Sequence, residues 1–216
     1  MNRVWWRLKR WLTLRRFRSV AIMGMFSPYS GDADEVWGCN RCYVHGVRMT
    51  RLFIMDPLET EEEAGRAEYI ESCNRLNIPI VLPKKYPEIP LSEAFPLNKV
   101  RGELKVRDYY TSTIAYMIAE AIRQGFGKII IHRILVNQRS VEYVEQKPCL
   151  DAWVMFAHGL GIEVGVSDDS MIMRPYPWQS ETYGYISNDH HKFCSDLLAD
   201  AMREIGRVPA LFRRWV

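Results

Sequence analysis

The stretch TSTIAYMIAEAIRQGFGKIIIHRI, residues 111–134, joins a hydroxyl-rich turn, a helix, a glycine corner and an apolar strand in one run. Ile114, Met117, Ile118, Ala121 and Ile122 recur at three- and four-residue spacing, which predicts a helix over 112–124 with one face on a core. Gly125 and Gly127 mark the corner, and 128–134 follows as a strand centred on the apolar run Ile129, Ile130 and Ile131. A strand of that kind belongs in a sheet covered on both faces, which is the habit of parallel sheets. Thr111, Ser112 and Thr113 stand at the mouth of the helix. Hydroxyls there cap the helix, while its free N–H groups and dipole favour an anion. The two roles are compatible, since one uses side chains and the other the backbone.

The same alternation extends in both directions. Residues 19–26, 35–40, 51–56, 78–82 and 162–166 read as further short apolar strands, and Pro79 suits the start of its strand better than the middle. Residues 60–76 read as a helix, Pro148 as the opening of another that runs to His158, and 190–205 as a last amphipathic helix. Residues 83–109, with Pro83, Pro87, Pro90 and Pro96, read as an irregular connection. The pattern predicts an α/β fold: a Rossmann-like three-layer sandwich with a mostly parallel sheet, occupying 19–216 as a single domain. Ligands of such sheets bind beyond the carboxyl ends of the strands. This directs attention to 26–30, Asn40, Asp56, 133–137 and 167–169.

The chain has 216 residues, of which 48% are hydrophobic, 25% charged and 12% aromatic, the composition of a folded globular domain. No apolar run approaches the ~18 residues needed to span a bilayer, so a soluble, cytoplasmic protein is expected. Five cysteines make an odd, scattered set, and the single Cys39-Asn40-Arg41-Cys42 pair lacks a second pair to complete a zinc site. A structural role is expected for it. Phosphate-loop, dinucleotide-fingerprint, zincin and serine-hydrolase motifs are absent. Residues 1–18 form a basic arm, with Arg3, Arg7, Lys9, Arg10, Arg15, Arg16 and Arg18 interleaved with Trp5, Trp6, Trp11 and Phe17 and no acid. Subtracting these seven bases from the 29 leaves 22 Lys and Arg against 26 Asp and Glu in the body. Three fates suit the arm: packing on the domain, contact with nucleic acid or another polyanion, or, less well matched by its short stripe, an anionic membrane surface.

Three segments carry a resemblance. Gly24-Met-Phe-Ser-Pro28 follows the first strand, GCNRCY (38–43) the second, and TSTIAYMIAEAIRQGFGKIIIHRI supplies the third. In this order they resemble the bacterial sialyltransferases that use CMP-sialic acid, and related Rossmann-like phage proteins, over about residues 19–166. There the corresponding elements are a Gly-x-Gly-Pro-Ser type turn, a Cys-Asn followed by an aromatic, and a Thr-Ser-Gly turn whose helix leads to a strand ending in Gly-Ile-Asp. Thr113 stands here for the glycine of that turn, and Arg133-Ile134-Leu135 for Gly-Ile-Asp, so the donor-site motif is altered.

The resemblance implies a nucleotide cleft in which Gly24, Ser27 and Pro28 approach phosphate or ribose, and Asn40, Thr111 and Ser112 hold the nucleotide. Tyr143, beside Gln146, is placed just ahead of a helix, within reach of a phosphate. Arg133 suits bidentate binding of a leaving phosphate or a structural ion pair. His190 and His191 are candidates for the base that deprotonates an acceptor hydroxyl, or a surface pair at a helix start. Tyr183 and Tyr185 are weaker candidates, and Asp168 and Asp169 read as solvated turn acids rather than metal ligands. The expected function is metal-independent transfer of a glycosyl group from a CMP- or UDP-linked sugar to an acceptor hydroxyl, with no obligatory cofactor. Phage kinship would place the protein in the host cytoplasm and make modified DNA an acceptor. The alternative is a non-catalytic nucleotide- or nucleic-acid-binding phage protein that kept the fold and lost the donor site.

Overall fold

The computed structural model describes residues 18–25, 29–136 and 141–174. The chain divides into two compact units, Met1–Ile172 and Met173–Val216, and every element described below belongs to the first. The basic arm up to residue 17 and the helix expected over 190–205 lie outside the described residues.

Seven strands form one sheet: β1 (Ser19–Met23), β2 (Glu35–Cys39), β3 (Arg51–Phe53), β4 (Ile80–Leu82), β5 (Ser92–Ala94), β6 (Lys128–His132) and β7 (Glu163–Val166). Their order is β5-β4-β3-β2-β1-β6-β7 and every pairing is parallel. The helices are α1 (Glu63–Arg75), α2 (Leu97–Leu104), α3 (Thr113–Gln124) and α4 (Val141–Gly159). From β1 the chain steps outward to β5, then returns through α2 and α3 to place β6 on the other side of β1. In the register, Ile22 lies between Trp37 of β2 and Ile131 of β6. The switch point of the topology is therefore the gap between the carboxyl ends of β1 and β6.

The period-2 alternation of side chains separates two cores. On one face Val20, Ile22, Trp37, Phe53, Val81, Ile129 and Ile131 pack with Val100 of α2, Met117 and Ile118 of α3, and Val154 of α4. On the other, Met23, Leu52, Ile54, Ile80 and Leu82 pack with Tyr69 and Cys73 of α1. Helices thus cover both faces, and the three-layer α/β architecture expected from the sequence is the one observed.

α3 is capped as its sequence dictates. Ser112 has extended backbone and its Oγ accepts from the Ala115 N–H (3.4 Å). Gly125, at φ 83°, ends the helix in the left-handed conformation that glycine adopts without strain. The single stripe expected of α3 proves too narrow, because Ala115, Ala119 and Glu120 are buried as well. A helix flanked by the sheet and by α2 and α4 has little surface left for solvent.

Two expectations need correction. Residues 83–109 are not an irregular connection but contain β5 and α2. Ser92 closes the preceding turn by accepting from the Tyr86 N–H (3.0 Å) and donating to the Tyr86 carbonyl (2.9 Å), which lets a three-residue strand pair with β4. Pro148 does not open a helix; it lies inside α4, which begins at Val141. The proline deletes one main-chain hydrogen bond. The helix continues because Cys149, Leu150, Trp153, Val154 and Ala157 anchor its second half in the core.

Gly24 follows β1 at the switch point, and a Cβ there would lie 2.3 Å from the Arg133 carbonyl oxygen, a backbone atom that cannot swing aside. Gly24→Ala should therefore destabilise the fold by about 1–3 kcal/mol. Gly65, in α1, meets nothing within 4 Å of such a Cβ, and Gly65→Ala should stabilise by up to about 1 kcal/mol. Paired urea melts of the two variants would check the contrast, and equal effects would rule out the close approach at Gly24.

Candidate functional site

A cavity of about 240 Å³ opens at the carboxyl edge of the sheet, lined by residues that include Gly24, Asn40, Asp56, Thr113, Arg133 and Tyr143. β1 and β6 bring Gly24 and Arg133 together there. The Gly24 N–H donates to the His132 carbonyl (2.9 Å), extending the ladder one residue past the strands. Thr111, Ser112 and Ile114 at the start of α3, and Glu142 and Gln146 in the first turns of α4, complete the wall.

Asn40 follows β2 directly with φ 49°, a left-handed conformation that asparagine tolerates better than most residues. Its N–H donates to the Phe53 carbonyl (2.8 Å), which fixes it against β3. Its side-chain Oδ1 accepts from the Thr113 hydroxyl (3.1 Å), tying the end of β2 to the first turn of α3. Next to it, the Cys39 thiol donates to the Met23 carbonyl (3.4 Å). Cys39 and Cys42 are both buried and unlinked. Burial pushes the Cys39 thiol far up and raises Cys42 to about 11, so neither is a thiolate at neutral pH. The pair fills the α/β junction rather than serving as a nucleophile.

At the mouth of α3, Ser112 Oγ is engaged as cap acceptor but keeps its own proton. Thr111 Oγ1 makes a long contact with the Glu145 carbonyl (3.5 Å). The N–H groups of Thr113 and Ile114 have no acceptor within the helix, as in every first turn. Both residues line the same cavity as Asn40.

Arg133 is the second left-handed residue of the cleft, at φ 50°. Its N–H donates to Ser167 Oγ (2.8 Å), and its Nε pairs with Asp169 Oδ2 (2.5 Å). The Ser167 hydroxyl donates to the other Asp169 oxygen (2.8 Å). A Ser167–Asp169–Arg133 unit therefore spans the ends of β6 and β7. Both charged side chains remain about half exposed, which keeps the guanidinium reachable. Asp169 is an ion-pair partner rather than a free turn acid.

Of the expected binding residues, Gly24, Asn40, Thr111, Ser112 and Tyr143 line one cavity, and Arg133 joins them. Tyr143 reaches it from inside α4 rather than from a preceding loop, and Gln146 Nε2 there donates to Glu142 Oε1 (2.6 Å). Ser27, Pro28, Tyr183, Tyr185, His190 and His191 lie outside the described residues. The sequence suggested capping and anion binding for Thr113 and pointed to 167–169 as a strand end, but it gave no sign that Thr113 meets Asn40 or that Ser167 holds Arg133 and Asp169. No periodicity marks a contact between residues 40 and 113. The only sequence signal for Ser167 is its place directly after a strand.

Two outcomes follow for the Arg133 corner. Arg133→Gly should leave stability unchanged or raise it by up to about 1 kcal/mol, since relief of the left-handed backbone outweighs an exposed ion pair. Arg133→Val, with a branched Cβ, should destabilise by about 1–2 kcal/mol in the same denaturant assay. Separately, the Asp169 carboxyl lies below its ordinary range, first because Ser167 donates to it and then because Arg133 stands beside it. Its contribution to stability is complete above the ordinary carboxylate range and is lost as pH falls through the lowered value. A carbon-detected NMR titration should place its midpoint below that of an ordinary aspartate, and Ser167→Ala should move it up.

No protein-family model matches the chain, and no curated protein sequence matches it. Among the described residues, no helix is long and apolar enough to cross a membrane. Among solved structures, the fold is similar to that of the sialyltransferase CstII from Campylobacter jejuni in complex with a substrate analogue, CMP-3FNeuAc. The TM-score is 0.46 at 16% identity, covering 69% of this chain and 80% of that one. The same enzyme with cytidine-5'-monophosphate gives a TM-score of 0.46 at 16% identity, over 70% of this chain and 80% of that one.

Proposed function

We propose that the cleft binds a nucleotide or nucleotide-sugar and that the protein is a glycosyltransferase-like enzyme acting on an acceptor hydroxyl. The observation that carries this reading is the convergence at the switch point of Asn40, the first turn of α3 and Arg133 around one cavity. Each supplies what a phosphorylated nucleoside needs. The Asn40 amide and the Ser112 hydroxyl offer hydrogen bonds to base or ribose. The α3 amides and the Arg133 guanidinium offer compensation for phosphate charge. Gly24 lets the backbone come close at that point without a side chain in the way.

In the reaction so assigned, the bond between the anomeric carbon and the phosphate oxygen breaks and one to the acceptor oxygen forms. The electron pair of the broken bond leaves with the nucleotide, where Arg133 faces the growing charge, released from Asp169 or shared with it. The acceptor proton passes to a base, for which His190 and His191 are the candidates. A second reading, binding without transfer, draws support from the same Arg133–Asp169 pair, which already neutralises the guanidinium.

Thermal-shift assays with CMP, UDP, GDP and their sugars separate these cases. At a hundredfold excess over Kd, a bound nucleotide adds about 2.7 kcal/mol, or a rise of roughly 5–10 °C in Tm for a chain of this size. Asn40→Ala should abolish the rise. No response to any nucleotide would sink the proposal, and binding of a sugar nucleotide without turnover, with or without His190→Ala and His191→Ala, would favour the second reading.

A further inference from the structure

Resting on the nucleotide reading above, we propose that Asp56 and Glu142 select the transferred group by its charge. A neutral or amino sugar is accepted, and a sugar acid is rejected. Four neighbouring parallel strands, in the order β3-β2-β1-β6, run up to the cavity. The lining residues just beyond them are, in that order, Asp56, Asn40, Gly24 and Arg133. Neighbouring strands lie about 4.8 Å apart, so the row is roughly 14 Å long, more than a phosphate occupies. Its middle and its β6 end carry the features that favour an anion. Thr113, bonded to Asn40 (3.1 Å), brings the first turn of α3 to the middle, and Arg133 stands at the β6 end.

The β3 end carries a carboxylate instead. The Ile54 N–H still donates to the Val81 carbonyl (2.9 Å), and the Leu58 N–H donates to the Tyr86 hydroxyl (3.0 Å), so the chain is anchored on both sides of Asp56. Asp56 itself is exposed, at the mouth of the cavity. Glu142 comes from the first turn of α4, the helix that joins β6 to β7, and so belongs to the opposite end of the row. It accepts from Gln146 (2.6 Å), a neutral partner that leaves its charge in place. Arg133 does not offset that charge, because Asp169 already shares it (2.5 Å).

A carboxylate accepts hydrogen bonds and donates none, whichever residues adjoin it. Sugar hydroxyls and ammonium groups donate to it, whereas a sugar carboxylate is repelled. With the phosphate held near the start of α3, a sugar lying towards β3 meets Asp56. Turned the other way, it meets Glu142. Either direction places a like charge beside a sugar acid.

Isothermal titration of the full chain with matched sugar nucleotides tests the proposal. UDP-glucose and UDP-glucuronate differ only by a hydroxymethyl group replaced with a carboxylate, as do GDP-mannose and GDP-mannuronate. In the pair whose nucleotide the protein binds, the neutral member should bind about tenfold more tightly, by a margin that shrinks as salt is raised. If CMP is the nucleotide bound, CMP-N-acetylneuraminate should bind no more tightly than CMP itself. Asp56→Asn and Glu142→Gln remove charge at nearly constant shape from exposed positions, so the Tm without ligand should stay within about 2 °C. One of the two should strengthen binding of the sugar acid by about threefold or more, and that variant marks the end at which the sugar lies. Three results overturn the proposal and leave the nucleotide reading intact: equal affinity within a pair, tighter binding of CMP-N-acetylneuraminate than of CMP, or no gain in either variant. If no probe binds the wild type, the nucleotide reading fails and this inference with it.

Discussion

The contact between Gly24 and the backbone of Arg133 is the constraint on which the site depends. β1 and β6 come from distant parts of the chain, and they lie side by side to their carboxyl ends, where the Gly24 N–H donates to the His132 carbonyl. That close approach at the rim of the cavity is possible only if the residue after β1 has no Cβ to strike the Arg133 carbonyl. The residue after β6 adopts a left-handed conformation. Asn40, at the end of the neighbouring strand, turns in the same way. Two of the sheet's strands thus end in backbone conformations that L-residues adopt reluctantly, and both ends face the cavity. Strain of this kind persists only where surrounding contacts enforce it. Here these are the Phe53 carbonyl and Thr113 for Asn40, and Ser167 and Asp169 for Arg133.

Electrostatically the cleft is mixed rather than cationic. Arg133 and the α3 amides attract anions, while Asp56 and Glu142 lie on the same wall. A bare polyanion would gain little from such a surface. A ligand carrying phosphate at one end and neutral hydrogen-bonding groups at the other would match it better. The coupling of Arg133 to Asp169 makes the guanidinium's availability depend on what competes with that carboxylate, so phosphate and Asp169 are alternatives for the same donor.

The sheet was legible in the sequence because its strands are short apolar runs bounded by turn residues, and α3 because its stripe, Ser112 cap and Gly125 stop agree with one another. The switch-point rule then led to Asn40 and Arg133 without any catalytic motif. β5 and α2 were not legible: Ser-Glu-Ala has no β pattern, and the prolines around it read as loop until pairing with β4 and the Ser92 hydroxyl decide otherwise. Pro148 misled because a proline at the first position of a helix and one tolerated inside it are the same letter. The Asn40–Thr113 and Arg133–Asp169 contacts join segments that only the folded sheet brings together. A single sequence carries the residue types for these contacts and not their partners.

The place of β1 in the sheet also orders events during synthesis. The first of the described strands is an interior one, and it pairs with β2 fifteen or so residues later (a loop of roughly this length closes readily) but with β6 only after Lys128–His132 has emerged. Until then the nascent chain carries an open, apolar strand edge, since Val20, Ala21 and Ile22 end fully buried. Long-range parallel pairing of this kind is slow, and an unpaired edge is the surface on which chains aggregate. The cavity, which needs both β1 and β6, is therefore among the last features of the sheet to form, and a chain released before β6 would present that edge in its place.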